Sequence, residues 1–342
     1  MKKGIIGAGN WIIDKVKTID RWPNEGELCN ILSQQKAGGG GPCNVLFDLA
    51  ALKSDIPLYA AGMVGSDDDG AWLCSEIESR GIDSRSMRKA AAGIPTAFTD
   101  VMSGNGRRTF FYCGLANNSL GVEDLADIDV PAKIFYLAYL LLLDKLDAAD
   151  PEYGTAAARL LHQMQKKGYR TAVDMVSEAG EKFNRIVPPA MAYTDILVIN
   201  EIEAGNTLGE AIRLPDNTLR CELLSKAADR FFELGVKEMV VIHFPEGAYA
   251  AMKNGKRCYQ PSCFVKKSEI VGTNGAGDAF FAGLLYAIHE DMPMEEALKV
   301  ASASARFNLK AATASGGAPE LSELLDYVKD CSFEEIPEFF RK

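Results

Sequence analysis

The chain has 342 residues, 47% of them hydrophobic and 25% charged, enough apolar material for the core of a large soluble α/β protein. Its formal net charge of −10 argues against nucleic acid or an anionic membrane as the main partner and leaves a small molecule as the default ligand. Eight cysteines are scattered without a C-x-x-C pair, which argues against a zinc site or a disulfide framework and reads as the reduced thiols of a cytoplasmic protein.

Taken from the N-terminus, short apolar runs alternate with helical patterns, as a parallel sheet covered by helices on both faces requires. GIIGA (4–8) predicts the first strand, after which residues 11–36 break the rhythm, and a helix is expected near 43–53. A strand over 57–64 and a helix near 70–80 come next. TAFTDVMSGNGRRTFFYC (96–113) alternates about an Asn105-Gly106 turn and predicts a hairpin, which together with 11–36 would form a small β lid on the main sheet. Further strands are expected at 133–140, 170–176, 195–200 and 238–244, and helices near 155–167, 219–234, 277–289, 294–309 and 320–329. The longest apolar run, Ile134 to Leu143, falls far short of the roughly 20 residues of a membrane-spanning helix. The stretch after Lys2 and Lys3 is broken by Asn10 and Asp14 too early for a signal peptide. With no repeat, low-complexity segment or linker, the expectation is one domain over 1–342 with an inserted lid.

GIIGAGNWIID begins like a dinucleotide fingerprint, but Ile12 stands where its third glycine belongs, which keeps an oxidoreductase using Gly7 and Gly9 only as a rival. There is no G-x-x-x-x-G-K-[ST] phosphate loop and no G-x-S-x-G elbow. His162, His243 and His289 have no metal-ligand spacing and read as surface or structural. VGTNGAGDAFFAGLLYAI (271–288) is more informative. The first turn of a helix presents unpaired N–H groups and partial positive charge, so Gly275, Ala276 and Gly277 would make an anion cradle beside Asp278. Phe280, Phe281, Leu284, Leu285 and Ile288 recur at helical spacing and would anchor that helix in the core. Taken alone the string also reads as a glycine turn followed by an early-helix acid.

AGGGGPCN (37–44), GMVGSDDDG (62–70), RRTFFYCGLAN (107–117), NEIE (200–203) and GTNGAGDAFFAG (272–283) stand in an order and spacing that resemble the ribokinase-like, or PfkB, family of carbohydrate and nucleoside kinases. The resemblance runs from about residue 4 to about residue 330 and implies a three-layer α/β/α sandwich with a β lid over the sugar site. It implies that Asp278 is the base that deprotonates the attacking hydroxyl and that Gly275, Ala276 and Gly277 form the anion hole for the transferred phosphoryl group. It further implies that Asn200 and Glu203 belong to an N-x-x-E element whose acid helps order Mg2+ through water, and that Asn200, Thr273, Gly247 and Gly317 border ATP. Asp14, Gly38, Gly39 and Asn44 fall where the family meets the sugar. The other reading of Asn200 and Glu203 is a strand end followed by a helix cap. Arg107 and Arg108, just after the hairpin turn, read as solvated or structural.

Two departures bear on function. Gly272-Thr273 stands where the family has aspartate-threonine; that aspartate helps bind an activating potassium ion, so the resemblance does not extend to monovalent-cation activation. In HFPEGAYA (243–250), Phe244 and Pro245 precede Gly247 where many members carry a glycine, which leaves the phosphate donor open. For the acceptor, a free pentose or ketohexose fits Asp14 with the glycine segment. A sugar acid would call for an arginine where Cys113 stands, and a sugar phosphate for more cations from the lid. A nucleoside stays open, with Trp11, Trp22, Phe98 or Phe111 available to stack on a base, as does a non-catalytic sugar-binding or regulatory protein that kept the fold. In this family exposed lid strands often pair between subunits, so a homodimer through the lid is a further expectation.

Overall fold

The structure is a computed structural model that describes residues 3–105, 107–177, 181–311 and 313–341. In chain order the strands are β1 (Gly4–Gly9), β2 (Ile12–Ile19), β3 (Ile31–Gly39), β4 (Leu58–Val64), β5 (Asp83–Lys89), β6 (Phe98–Gly104), β7 (Arg107–Cys113) and β8 (Ala132–Leu140). They continue with the two-residue pair β9 (Ala149–Asp150) and β10 (Gly154–Thr155), then β11 (Arg170–Met175), β12 (Ile196–Asn200), β13 (Met239–Phe244), β14 (Gly247–Met252) and β15 (Arg257–Pro261). Nine of them form one sheet in the order β15-β14-β13-β12-β11-β8-β1-β4-β5. The seven from β13 to β5 are parallel, while β14 and β15 run antiparallel at the edge.

Period-two alternation sorts the sheet's side chains into two cores. Ile6, Phe135, Leu137, Val173, Leu197 and Val240 pack on one face against the helices Ala156–Lys166, Glu181–Met191 and Cys221–Leu234. Ile5, Ile134, Tyr136, Ile196, Val198 and Val241 pack on the other against the helices Gly41–Ala51, Ala276–His289 and Met294–Asn308. The result is a three-layer α/β/α sandwich. Helix boundaries follow local chemistry: Thr155 Oγ1 accepts from Ala158 N at 3.2 Å, Asp67 Oδ1 accepts from Gly70 N at 2.9 Å, and Gly209 and Gly235 end their helices with positive φ.

A second sheet, β3-β2-β6-β7, stands apart from the first. Its inner pair, β2 and β6, is parallel, and β3 and β7 flank it antiparallel. Lys15 and Lys36 reach Asp69, in the first turn of the helix Asp68–Ser79, at 3.0 and 3.2 Å, and tie this lid to the main body. The β6–β7 hairpin has Asn105 at φ 51; Gly106, the other residue of the expected turn, lies outside the described residues.

The dinucleotide rival fails on topology. No helix follows Gly9: the chain leaves β1 through Asn10 and Trp11 directly into lid strand β2, so these glycines have no helix N-terminus to serve a pyrophosphate. The chain departs from the predicted elements in three further places. The edge strands β5, β14 and β15 and the helices Glu181–Met191 and Glu201–Leu208 were not read from the pattern. HFPEGAYA is a tight hairpin, with Phe244 opposite Gly247 across Pro245-Glu246. None of the described helices is long and apolar enough to cross a membrane.

Candidate active site

The carboxyl ends of the parallel strands converge on one crevice, as an open α/β sheet arranges them. Asn10 follows β1, Tyr139 lies near the end of β8, Asp174 and Met175 close β11, Asn200 closes β12, and His243 lies one residue from the end of β13. The lid covers this crevice with Ile12 and Asp14 from β2, Thr99 from β6, and Phe110 and Tyr112 from β7. Together with Asn44 and the 274–278 turn these enclose a cavity of about 440 Å³.

Asp278 sits in the third position of the helix Ala276–His289, behind a cap made by Gly275. Gly275 has φ 76, and a Cβ there would run into the Ala314 carbonyl, so only glycine fits the turn that opens this helix. Asp278 is clamped on both oxygens: Asn44 Nδ2 donates to Oδ2 and Tyr139 Oη donates to Oδ1, each at 2.8 Å. Burial pushes its pKa up to about 6 against these two bonds, which favour the ionised form. Asn44 Oδ1 has no hydrogen-bond partner among the described residues. Asp14, buried on the inner face of the lid, rises to about 7 through burial and the charge of Asp278, while Arg108 pulls it down.

Sequence reasoning missed Tyr139, since a tyrosine at the end of a hydrophobic strand gives no signal of its own. His243, expected to be surface or structural, is half-buried; its ring packs beside Phe280 with centroids 5.2 Å apart, and desolvation lowers it to about 4. A Cβ on Gly277 would stand 3.1 Å from that ring. Trp11 is fully buried with its Nε1 donating to Ala61 O, and none of Trp11, Trp22, Phe98 and Phe111 lines the cavity; Phe110 does.

Asn200 and Glu203 form a reciprocal cap. Asn200 Oδ1 accepts from Glu203 N and Glu203 Oε2 accepts from Asn200 N, both at 2.9 Å. Glu203 Oε1 accepts from Ser177 Oγ at 2.7 Å and from Asn200 Nδ2 at 2.8 Å. The cap reading of these residues therefore holds, yet both also line the crevice beside Asp174. Burial raises Glu203 to about 7, and burial with the charge of Glu203 drives Asp174 well above the usual carboxylate range. Among the described residues no cluster of three or more His, Cys, Asp or Glu is set to hold a metal ion by itself.

Gly38 and Gly39 end β3 and pack beneath the site: a Cβ on Gly39 would meet the Asp14 carboxyl, and one on Gly38 would stand 2.7 Å from Cys43 Sγ. Across the Gly275–Gly277 turn lies a second hollow of about 530 Å³, walled by Phe244, Pro245, Gly247, Thr273, Ala276 and Arg306 among others. It shares Asn200, His243 and Gly277 with the first cavity. Gly247 is needed where β15 crosses closely, since a Cβ there would stand 2.5 Å from Gln260 O. Gly317 lies elsewhere, in a shallower hollow with Phe307 and Lys310, packed against the backbone of Asn308.

Known proteins place this architecture. Residues 9–321 match the pfkB family of carbohydrate kinases, and the chain belongs to that family of phosphotransferases acting on an alcohol group. It is 26% identical over 327 residues to a ribokinase of Arabidopsis thaliana, covering 95% of this chain and 80% of the relative. It is 25% identical over 299 residues to an ATP-dependent ribose-1-phosphate kinase of Halopiger xanaduensis, covering 87% and 89%. The structure of Arabidopsis thaliana ribokinase complexed with ribose and ATP superposes with a TM-score of 0.76 at 23% identity, covering 96% of this chain and 100% of that one, and establishes the ribokinase-like fold.

Proposed function

We propose that the chain is one catalytic unit, an ATP- and Mg2+-dependent kinase that phosphorylates a primary hydroxyl of a small neutral sugar. The observation that carries this reading is the clamping of Asp278 where the two cavities meet, on the first turn of the Gly275-capped helix. An acceptor in the lid-covered cavity would hydrogen-bond Asp14 and the unpartnered Asn44 Oδ1, acceptors suited to sugar hydroxyls. Its attacking hydroxyl would give its proton to Asp278 as the new bond to the γ-phosphorus forms and the bond to the bridging oxygen breaks, its electron pair leaving on ADP. The Gly275, Ala276 and Gly277 turn would hold the equatorial oxygens with backbone N–H groups and the helix dipole.

ATP would occupy the second hollow, its base against the apolar wall of Phe244, Pro245 and Ile270, with Asn200, Thr273 and Gly247 alongside. Gly317 would border it only from the neighbouring hollow. Asp14, Asp174, Glu203 and Asp278 face one cavity whose described lining contains no lysine or arginine, which suits a divalent cation carried in with the phosphates. Asp174 and Glu203 are the carboxylates that would hold its water shell, and when bound it would supply charge neutralisation on the phosphate oxygens. The same acidic lining favours an uncharged acceptor over a sugar acid or sugar phosphate.

The eight free cysteines fit a reducing compartment such as the cytoplasm. Leu28, Ile31, Leu32 and Phe111 are exposed on the lid region and would suit pairing with a second copy; sedimentation of the wild type and of Leu32→Lys tests this. The test of the main reading is acceptor-dependent ADP release against a panel of pentoses, hexoses, sugar acids, sugar phosphates and nucleosides, with and without potassium. Release with a neutral sugar that Asp278→Asn removes is expected; release with nucleosides alone would replace the acceptor, and silence with no ATP binding would mean a protein that kept the fold and lost the chemistry.

A further inference from the structure

The chain between the helices Glu201–Leu208 and Cys221–Leu234 doubles back on itself. Arg213 and Leu219 form an isolated antiparallel bridge, closed by a turn in which Asn217 takes φ 70, a left-handed conformation that asparagine tolerates. From this small loop one guanidinium engages three groups. Arg213 Nε donates to Glu201 Oε1 at 2.7 Å, Nη1 donates at 3.0 Å to both Glu246 Oε1 and the Asn217 carbonyl, and Nη2 donates to Glu246 Oε2 at 2.7 Å. The side chain of Arg213 is 16% exposed and that of Glu201 8%, so this junction lies largely out of water, where paired charges hold firmly and an orphaned one is costly.

The two carboxylates belong to two parts of the wall of the second hollow. Glu201 stands in the first turn of its helix, where Asn200, Glu201 and Ile202 line the hollow; Glu246 stands in the β13–β14 turn between Pro245 and Gly247, which line it too. The parallel ladder of β12 with β13 ends where Asn200 faces His243, and past that point Arg213 joins the two segments through their side chains. The Glu246 carbonyl accepts from Ser262 N at 2.9 Å and from Tyr259 Oη at 3.0 Å, which holds the turn on its β15 side. Arg213 itself does not line the second hollow; it stands behind that wall and faces a separate hollow of about 360 Å³. We propose that Arg213 is a positioning residue for the phosphate donor: it sets the spacing between the 200–202 segment and the 244–247 turn, and thereby how tightly the nucleotide is held, without touching the nucleotide. The inference rests on the reading of the second hollow as the ATP site. Lysine is no substitute, because an ammonium is a point charge on a flexible stem and cannot hold two carboxylates in one fixed plane.

The test compares wild type, Arg213→Lys, Glu246→Gln and the double variant in steady-state kinetics, in calorimetric binding of ADP and in thermal unfolding. Arg213→Lys keeps the positive charge and so the fold, but should raise the KM for ATP and the Kd for ADP by about 10–100-fold, the scale of one hydrogen bond to a charged group. Its kcat at saturating ATP and its KM for the acceptor should be little changed. Glu246→Gln should shift the same two constants in the same direction by less, and the double variant should bind ADP no worse than Arg213→Lys alone, because both residues act through one contact. Unmoved ADP binding and KM for ATP in Arg213→Lys would overturn the proposal, even with a lowered thermal midpoint, which would mark a merely structural pair. An acceptor KM that rises in step with that for ATP, or losses that add in the double variant, would overturn it as well. A wild type that binds ADP but transfers nothing would sink the kinase reading alone, with the binding comparison still deciding Arg213; a wild type that binds no nucleotide would sink both.

Discussion

The two cavities on either side of the Gly275–Gly277 turn are built by different means. The proposed acceptor side is made of side chains from distant segments, Asp14, Asn44, Tyr139, Asp174 and Asp278, brought together at the lid and crowded with acids that burial pushes toward neutrality. The proposed donor side is mostly an apolar slot between the β13–β14 hairpin and the helix Met294–Asn308, edged by glycines whose absent side chains make room for close backbone approach. On the proposed reading, selection on the first side would rest on charge and hydrogen bonds, and on the second on shape. They meet at Asn200, His243 and Gly277, which wall both.

The sharpest way to break the comparison is at the junction. Asp278→Asn should lower kcat by about 10²–10⁴-fold while leaving the thermal midpoint near that of the wild type, measured by coupled ADP release and calorimetry. Near wild-type turnover would remove Asp278 from the chemistry.

A backbone change should injure the turn without touching a charge. Gly275→Ala places a Cβ at φ 76 against the Ala314 carbonyl and should cost about 1–3 kcal/mol of stability in denaturant unfolding, together with most activity.

Tyr139→Phe sharpens the acceptor side. It removes one of the two bonds that favour ionised Asp278, so kcat should fall about tenfold, the scale of one lost hydrogen bond. The acid limb of the kcat/KM profile, expected near pH 6 in the wild type because the base must be ionised, should move upward. An unmoved limb would mean that Tyr139 does not tune the base.

The smallest effect is on stability. Asp14 is raised in the folded protein, to about 7 from 3.8, so folding favours its protonated form. The stability this contributes is complete below about pH 4 and is lost as pH climbs through 7. Asp14→Asn should therefore stabilise the ligand-free protein by about 1–3 kcal/mol at pH 8, with the gain shrinking toward pH 4. A gain independent of pH would point to packing instead.

The sequence alone carried the alternation of strands and helices, the lid hairpin, and the glycine-flanked Asp278, because these depend on local periodicity and on residues whose backbone freedom is written in their identity. Edge strands β5 and β14–β15 escaped because their exposure and pairing are set by neighbours far along the chain. Tyr139 and Asp174 escaped because a tyrosine or an acid at the end of a buried strand looks like core until the strand ends are seen to converge. The double role of Asn200 and Glu203, a helix cap that also faces the crevice, was legible only as two competing readings. Charge proximity is a property of folded distance: only the tertiary structure sets Arg213 against Glu246, 33 positions away, and brings four carboxylates into one cavity, where burial decides which of them keep their protons.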